Sequence, residues 1–217
     1  MGSTQFSGDD ENPVILQTKE PLFFLLNGPP RSGKDTAAVW LEKRYDGKLL
    51  KFAEPIKRAV TAIYHGGDRA EFDKYDTAEL KDTPQEVYFG KTCRQVQIGV
   101  SEAFLKPFHG DQRIFGNILA RQVERIHGRL ASGPYFISDS GFRPEAEVLV
   151  DKYGAKNIIL FRIFRDGFTF GQVTDSRNYI TLRDLGVREF DIQNPNDNMQ
   201  AFYGALDNIL EHCIPRT

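Results

Sequence analysis

The sequence predicts an α/β fold, with about five parallel strands, helices on both faces of the sheet and a helical insertion before the third strand. Five short segments, most of them rich in apolar residues, have the length of strands in a parallel sheet. Helical patterns separate most of these runs, as the crossovers of a parallel sheet require. The chain has 217 residues, of which 40% are hydrophobic and 27% charged, so a single core is expected.

The first two strands enclose the first helix. Residues 22–27 (LFFLLN) form an apolar run that ends at a Gly-Pro-Pro turn, and they are predicted to be a buried strand. Good helix formers follow at residues 36–44, and residues 48–52 resume an apolar run. The remaining strands are predicted at residues 135–139, 157–161 with Ile163, and 188–192, and two further helices at residues 145–153 and 198–213.

Residues 55–133 contain no strand-like run of comparable quality. They contain several helical stretches instead, including residues 94–105 and 112–127, and they are predicted to form the helical insertion. Residues 1–20 are expected to be a flexible arm. No repeat, low-complexity tract or linker divides the rest of the chain, so residues 21–217 are predicted to form one domain.

Composition and charge argue against several classes of protein. No apolar run approaches the ~20 residues of a membrane span, and the polar N-terminus lacks an export signal, so a cytoplasmic protein without membrane contact is expected. Cys93 and Cys213 are far apart and the four histidines have no metal-ligand spacing, so neither a disulfide nor a zinc site is expected. The net charge of −2 argues against broad nucleic-acid binding, although residues 91–130 contain seven basic and three acidic side chains.

The strongest motif is the segment at residues 28–36 (GPPRSGKDT), which matches G-x-x-x-x-G-K and lies between a predicted strand and a predicted helix. In such a loop, backbone N–H groups and the helix N-terminus surround a phosphate, while the lysine neutralises charge on the β- and γ-phosphate oxygens. ATP is therefore the expected cofactor. The residues expected to bind it are Gly28, Arg31, Ser32, Gly33, Lys34, Asp35 and Thr36.

Three residues are expected to lie near a magnesium ion. The position after the loop lysine usually holds Ser or Thr, whose hydroxyl binds the metal, but here it is Asp35, followed by Thr36. Asp139 ends the third predicted strand, at the edge where a carboxylate approaches the metal, although an aspartate here can instead cap a helix. Lys34, Asp35 and Asp139 are therefore candidate catalytic residues.

An arginine-rich segment follows the fourth predicted strand. Arg162, Arg165, Arg177 and Arg183 flank a Gly-rich polar run, so residues 164–185 are predicted to form a mobile lid that brings guanidinium groups onto transferring phosphates. Arg177 is the candidate catalytic residue of this lid. Solvated surface arginines are the competing interpretation.

Several segments resemble the bacteriophage deoxynucleoside-monophosphate kinases and their relatives, the phage 5-hydroxymethyluracil DNA kinases: GPPRSGKDT, FAEPIK, KTCRQVQIGVSEAF, YFISDSGFRPE and DSRNYI. The resemblance covers nearly all of residues 22–212. It implies a P-loop NTPase fold of the thymidylate/nucleoside-monophosphate-kinase type that uses ATP and magnesium, and, if the chain is phage-encoded, a location in the host cytoplasm. It also implies that Gly33, Lys34, Asp35 and Thr36 bind nucleotide phosphates, and that Arg177 belongs to the lid.

The candidate acceptor-binding residues are Glu54, Arg94 and Arg143. Glu54 begins a predicted helix directly after the second strand, where it contacts the acceptor or caps the helix. By resemblance, Arg94 lies in the acceptor-side helical region. The family pattern has an arginine two residues beyond the aspartate that follows the third strand, whereas this chain has Ser140-Gly141 there and Arg143 later.

Two acceptors remain open. A free monophosphate presents an ionised oxygen and needs no general base, whereas the hydroxyl of 5-hydroxymethyluracil needs a carboxylate such as Asp35, Glu54 or Asp139. The basic stretch at residues 91–130 and the changed segment after Asp139 narrowly favour the DNA kinase over the monophosphate kinase. In the DNA kinase reaction, the base would be flipped out of the duplex towards Lys34. The acidic net charge favours the deoxynucleoside monophosphate kinase. A non-catalytic ATP-binding sensor or assembly protein is the third hypothesis, and homodimer formation is left open.

Overall fold

The computed structural model describes Val14 and residues 20–127, 134–171 and 177–213. None of the described helices combines the length and the apolar character needed to span a membrane. The helices and strands, in chain order, are β1 (Phe23–Asn27), α1 (Lys34–Arg44), β2 (Lys48–Leu50), α2 (Glu54–His65), α3 (Arg69–Tyr75), β3 (Pro84–Gln85), β4 (Lys91–Thr92), α4 (Cys93–Ile98), α5 (Lys106–His109), α6 (Ile114–Ile126), β5 (Tyr135–Ile137), α7 (Arg143–Tyr153), β6 (Ile158–Phe164), β7 (Arg188–Gln193) and α8 (Met199–Cys213).

Five strands form one parallel sheet in the order β2-β5-β1-β6-β7. The central strand is β1, in which Phe23 pairs with Tyr135 of β5 and with Ile158 of β6. All five residues of β1 are buried, which is why this run is continuously apolar in the sequence. The predicted α/β fold and its five-stranded parallel sheet are confirmed.

Alternate residues of β1 enter two separate cores. Phe23 and Leu25 pack with residues of α2, α6 and α7 on one face of the sheet. Phe24 and Leu26 pack with residues of α1 and α8 on the other face. Helices therefore cover both faces, as the sequence predicts. Ligands of such folds bind at the edge formed by the carboxyl ends of the strands.

The segment between β2 and β5 is mainly helical but also contains a short antiparallel hairpin. Its strands β3 and β4 have two residues each, and Pro84 pairs with Thr92. Phe89 and Gly90 make the turn with φ angles of 52° and 77°, in the left-handed region. Strands of this length show no alternation of apolar and polar residues, so sequence periodicity did not predict them.

The predicted helix at residues 94–105 continues as a π-helix at Gly99–Leu105 before α5 begins. The next residue, Lys106, lies in the interior with 1% of its surface exposed. Its ammonium pairs with Glu102 at 2.8 Å and with Glu145 at 3.3 Å, and it lies 4.0 Å from the centre of the Phe142 ring. These contacts hold the helical insertion against α7.

Glu145→Gln is expected to flatten the pH dependence of stability. Burial raises the pKa of the Glu145 carboxyl from 4.5 to about 8, although Lys106 opposes this shift. Between these pH values the folded protein keeps a proton that the unfolded chain releases, so the free energy of unfolding falls as the pH rises. At about 1.4 kcal/mol per pKa unit, the free energy of unfolding of the parent falls by a few kcal/mol across this pH range. Urea denaturation at about pH 5 and about pH 8 measures this loss.

Glu124→Gln in α6 is the matched control, because Glu124 pairs with Lys152 at the surface and its side chain is 52% exposed. This control should keep the pH dependence of the parent. If Glu145→Gln lost as much stability as the parent between the two pH values, Glu145 would be ionised in the folded protein and the argument from burial would be wrong.

Candidate active site

The turn from β1 to α1 has the geometry of a phosphate loop. α1 begins at Lys34, so the first N–H groups of this helix open into the loop. Gly33 has a φ of 100°, which residues with a side chain rarely adopt. A Cβ at Gly33 would collide with the Asn194 amide, and a Cβ at Gly28 would lie 2.6 Å from the Ile163 carbonyl oxygen. Both glycines of the motif are therefore required for space.

Two polar side chains of the loop suit phosphate oxygens. The Ser32 hydroxyl is buried and has no hydrogen-bond partner among the described residues. The Lys34 ammonium donates to the Pro29 carbonyl oxygen at 2.6 Å, across the loop. Asn194 supports the loop from outside by donating to the Ser32 carbonyl oxygen at 2.8 Å. A buried unpaired hydroxyl, a lysine and a helix N-terminus together fit the phosphates of a nucleotide.

Asp35 meets Ser138 at the carboxyl edge of the sheet. Its carboxylate accepts hydrogen bonds from the Ser138 hydroxyl at 2.8 Å and from the Lys51 ammonium at 2.7 Å. Burial raises the pKa of the Asp35 carboxyl, but Lys51 and Ser138 outweigh this effect, so the pKa lies below its ordinary value. Asp35 is therefore ionised at neutral pH and is a weak base.

Asp139 follows Ser138 but is held by backbone groups. Its two oxygens accept hydrogen bonds from the N–H groups of Phe52 and Ala53, each at 2.9 Å. Ala53 immediately precedes α2, so this carboxylate ties the end of β5 to the start of that helix. The N-cap residue of α2 is Ala53, so Asp139 holds the backbone before this helix without capping it. The Lys51 ammonium interacts electrostatically with both Asp139 and Asp35.

Asp35, Thr36 and Asp139 supply the oxygen ligands that Mg²⁺ prefers, and the Thr36 side chain is exposed. Within the described ranges, no group of three or more His, Cys, Asp or Glu side chains is arranged to hold a metal ion. Magnesium usually keeps several waters and binds through one or two carboxylates together with substrate phosphates. The residues present fit that kind of site, in which the Asp35 carboxylate would contact both the metal ion and Lys51.

In the helical insertion, one buried carboxylate holds two lysines. The Asp76 side chain is 7% exposed and pairs with the ammonium groups of Lys57 and Lys81, each at 2.5 Å. The Gln97 amide donates a further hydrogen bond to Asp76 at 3.1 Å. Burial raises the pKa of the Asp76 carboxyl, but the two lysines outweigh it and lower the pKa to about 2.

The loop after α3 connects this group of charges to the phosphate loop. Arg31 of the phosphate loop donates to the Ala78 carbonyl oxygen at 3.4 Å. A few residues later, Asp82 pairs with Arg94, whose Nε lies 2.6 Å from a carboxylate oxygen. The hydrogen bond from Arg94, and the charge of Arg177 to a smaller extent, lower the pKa of Asp82. The predicted acceptor-side arginine therefore pairs with Asp82, and the charge of the predicted lid arginine acts on the same carboxyl group.

Glu54 begins α2, as the sequence predicts, and accepts hydrogen bonds from Arg58 at 3.1 Å and from Arg69 at 2.8 Å. An open cavity of about 310 Å³ lies beside it. Lys51, Lys57, Arg58 and Arg69 line this cavity together with Glu54. Because the charged groups of the lining are mostly cations, the cavity suits an anionic ligand.

Arg143, the third candidate acceptor-binding residue, lies in a different network. It donates to Glu147 at 2.7 Å, to the Thr181 carbonyl oxygen at 2.9 Å and to both carboxylate oxygens of Asp184. These contacts join α7 to the segment before β7. Arg143 therefore belongs to a different ion network from the one that Glu54 forms with Arg58 and Arg69.

The predicted lid is described in part, because residues 172–176 lie outside the described residues. Two arginines of this region stabilise the scaffold: Arg162, which lies within β6 before the predicted lid, pairs with Asp191 at 2.7 Å, and Arg183 lies 3.8 Å from the buried Glu189. Arg165 instead donates to the Arg31 carbonyl oxygen of the phosphate loop at 3.1 Å. These arginines therefore have different surroundings.

Arg177 packs on Gly141. A Cβ at Gly141 would lie 2.7 Å from Cγ and 2.8 Å from Cδ of Arg177. A side chain at position 141 would therefore occupy the space that Arg177 fills.

Sequence reasoning missed Ser138, Lys51, Lys57 and Lys81. The first two could have been found from their position, because each follows a strand of the parallel sheet at its carboxyl end. The other two have no such signal. In the sequence they resemble ordinary surface lysines, and only their shared contact with Asp76 distinguishes them.

Comparison with known proteins gives a related sequence and structures that share part of the fold. No protein-family model matches the chain. A protein of Acanthamoeba polyphaga mimivirus named "Putative deoxynucleotide monophosphate kinase" is 27% identical over 197 residues, covering 87% of this chain and 95% of that protein. An unliganded sugar kinase from Janibacter sp. HTCC2649 is similar over 90% of this chain and 99% of its own, with a TM-score of 0.46 and 10% identity. A dephospho-CoA kinase from Campylobacter jejuni is similar over 88% and 96%, with a TM-score of 0.39 and 12% identity.

Gly141→Ala is expected to lower phosphoryl transfer from ATP by about tenfold or more, because a misplaced guanidinium no longer neutralises charge in the transition state. The new methyl group would displace Arg177 from its present position over Gly141. Steady-state rates with varied acceptor measure the effect. Gly204→Ala in α8 is the matched control, because a Cβ there meets no atom within 4 Å. Equal rates for both variants would show that transfer does not depend on where Arg177 lies.

Proposed function

We propose that this chain transfers the γ-phosphoryl group of ATP to the phosphate of a deoxynucleoside monophosphate. The surroundings of Asp35 carry the proposal: Lys51 and Ser138 donate hydrogen bonds to this carboxylate and hold its pKa below its ordinary value. An alcohol acceptor needs a carboxylate to take its proton, and hydrogen bonds to the ionised form make a carboxylate a weaker base. A monophosphate already presents an ionised oxygen and needs no base.

The chain is a phosphotransferase with a nucleotide-binding loop. That loop lies at the carboxyl edge of a parallel sheet, between β1 and α1. The mimivirus relative, which is named as a putative deoxynucleotide monophosphate kinase, is similar over 87% of the chain. Its name supports a deoxynucleoside monophosphate as the acceptor.

In the proposed reaction, an oxygen of the acceptor phosphate forms a bond to the γ-phosphorus. The bond from that phosphorus to the β,γ-bridging oxygen breaks, and ADP leaves with the bond electrons. Lys34, the Ser32 hydroxyl and the first N–H groups of α1 hold the phosphate oxygens and neutralise the charge that moves to the leaving oxygen. Mg²⁺, when bound, would neutralise the same oxygens from the side of Asp35, Thr36 and Asp139.

The second candidate is the 5-hydroxymethyluracil DNA kinase, which the sequence placed narrowly first. Phe104 and Phe108 favour it, because they are 57% and 73% exposed, with ring centres 5.6 Å apart, and exposed aromatic faces stack on unpaired bases. The basic stretch supports it less than the sequence suggested. Three of its cations, Arg94, Lys106 and Arg113, pair with carboxylates of the protein itself.

The experiment that separates the candidates is transfer of radiolabelled γ-phosphoryl from ATP to a panel of acceptors. The panel contains dAMP, dCMP, dGMP and dTMP, DNA with 5-hydroxymethyluracil, and the matched DNA with thymine. Label on a monophosphate supports the proposal. Label on the modified DNA alone would replace it with the DNA kinase. Nucleotide binding without label on any acceptor would favour the non-catalytic sensor.

Lys34→Ala is expected to lower the rate of transfer by at least about a hundredfold while leaving the fold intact, because it removes the cation from the phosphate loop. The rate is measured with the best acceptor of the panel, and circular dichroism checks the fold. Lys43→Ala is the control, because Lys43 is an exposed lysine in the last turn of the same helix. A folded Lys34→Ala variant with the activity of the control would refute the role of the loop.

A further inference from the structure

The group of charges around Asp76 contains more cations than its carboxylates neutralise. Lys57 and Lys81 share the single carboxylate of Asp76. Arg94 is balanced by Asp82, and Arg177 lies close enough to lower the pKa of Asp82 as well. Two ammonium groups therefore face one carboxylate at Asp76. We call Lys57, Asp76 and Lys81 the lysine pair site.

Burial makes this excess of positive charge costly. The side chains of Lys57 and Lys81 are 12% and 24% exposed, so water solvates their ammonium groups only in part. Burial lowers the pKa of Lys81, and the charges of Lys57 and Arg94 act in the same direction, against the opposing charge of Asp76. An anion bound here would replace the lost solvation and relieve the repulsion between the lysines.

The lysine pair site lies next to the candidate site for ATP. Arg31 of the phosphate loop contacts the Ala78 carbonyl oxygen, two residues after Asp76. Lys51, which pairs with Asp35 at the phosphate loop, is also within electrostatic range of Asp76. The open cavity beside Glu54 is lined by both Lys51 and Lys57. An anion at the lysine pair site would therefore lie on the side of the phosphate loop where an acceptor must approach.

We infer that Lys57 and Lys81, held in place by Asp76, bind the phosphate of the acceptor nucleotide, with Arg94 and Arg177 beside it. The inference rests on the proposed function, since it assigns the acceptor phosphate of that reaction to a particular place. Asp76 fixes the direction of both ammonium groups before the acceptor arrives, which reduces the entropy lost on binding.

A purely structural role is the alternative to test. Asp76 joins α2, through Lys57, to Lys81 in the loop after α3, and a buried ion network of this kind can hold a loop without binding any ligand. The two roles differ in one respect. A phosphate site distinguishes a nucleotide from the same nucleoside without its phosphate, whereas a structural network does not.

Lys57→Met is the most informative variant. It removes the excess positive charge and keeps the buried Asp76 paired with Lys81, so the fold should survive. Lys81→Met, in the loop after α3, is the second variant, and it removes the other ammonium group of the site. Lys74→Met is the matched control, because Lys74 lies in α3, pairs with Glu71 and has a side chain that is 65% exposed. Thermal unfolding establishes that each variant is folded.

The measurement is calorimetric binding of dAMP, dCMP, dGMP and dTMP to the full chain, each compared with its own deoxynucleoside. Lys57→Met and Lys81→Met should weaken the binding of the preferred monophosphate by about tenfold or more, which is the loss expected for charge-assisted hydrogen bonds. Their affinity for the deoxynucleoside and for ATP should stay within about twofold of the parent, as should all affinities of Lys74→Met.

Failure of this inference and failure of the proposed function give different results. If the parent phosphorylates a monophosphate and both folded lysine variants bind it within about twofold of the parent, the lysine pair site is structural and the inference is overturned. If the parent binds monophosphates through these lysines but transfers no phosphoryl group to them, the site stands and the proposed reaction is wrong. A variant that weakens nucleoside and monophosphate equally also overturns the inference.

Discussion

The lack of room for side chains in the phosphate loop is the constraint on which the rest of the site depends. The loop leaves β1, the central strand, and passes against β6 and the segment after β7. The Ile163 carbonyl and the Asn194 amide approach it so closely that positions 28 and 33 have no room for a side chain. This close packing sets where α1 begins, and with it the positions of Lys34 and Asp35. Asp35 then reaches Ser138 because β5 lies beside β1 in the sheet.

Alternating charges connect this loop to the helical insertion. Asp35 pairs with Lys51, Lys51 interacts with Asp76, and Asp76 pairs with Lys57 and Lys81. In the proposed transfer between two nucleotides, cations along the path of the phosphoryl group would lower the electrostatic cost of bringing the two nucleotides together. The carboxylates between these cations keep them apart and oriented.

The sequence predicted the scaffold of the site better than its contacts. The phosphate loop was predictable because its glycines, its lysine and the helix that follows are neighbours in the chain. Asp139 was predicted to end the third strand, but β5 ends two residues earlier, and both oxygens of Asp139 accept backbone hydrogen bonds just before α2, which the sequence does not reveal. The basic character of residues 91–130 was real in composition, yet Lys106 is buried against Glu145 and does not face a polyanion.

By itself, the sequence determined the five strands, the helices on both faces and the phosphate loop, because these depend on local periodicity and on the conformations open to neighbouring residues. Only the tertiary structure decided which residues each charged side chain contacts. Arg143 pairs with Asp184, and Arg177 lies over Gly141, although the two residues of each pair are far apart in the chain. The physical reason is that a charge interacts over a few ångströms, and those distances are set by how the helices and strands pack against one another.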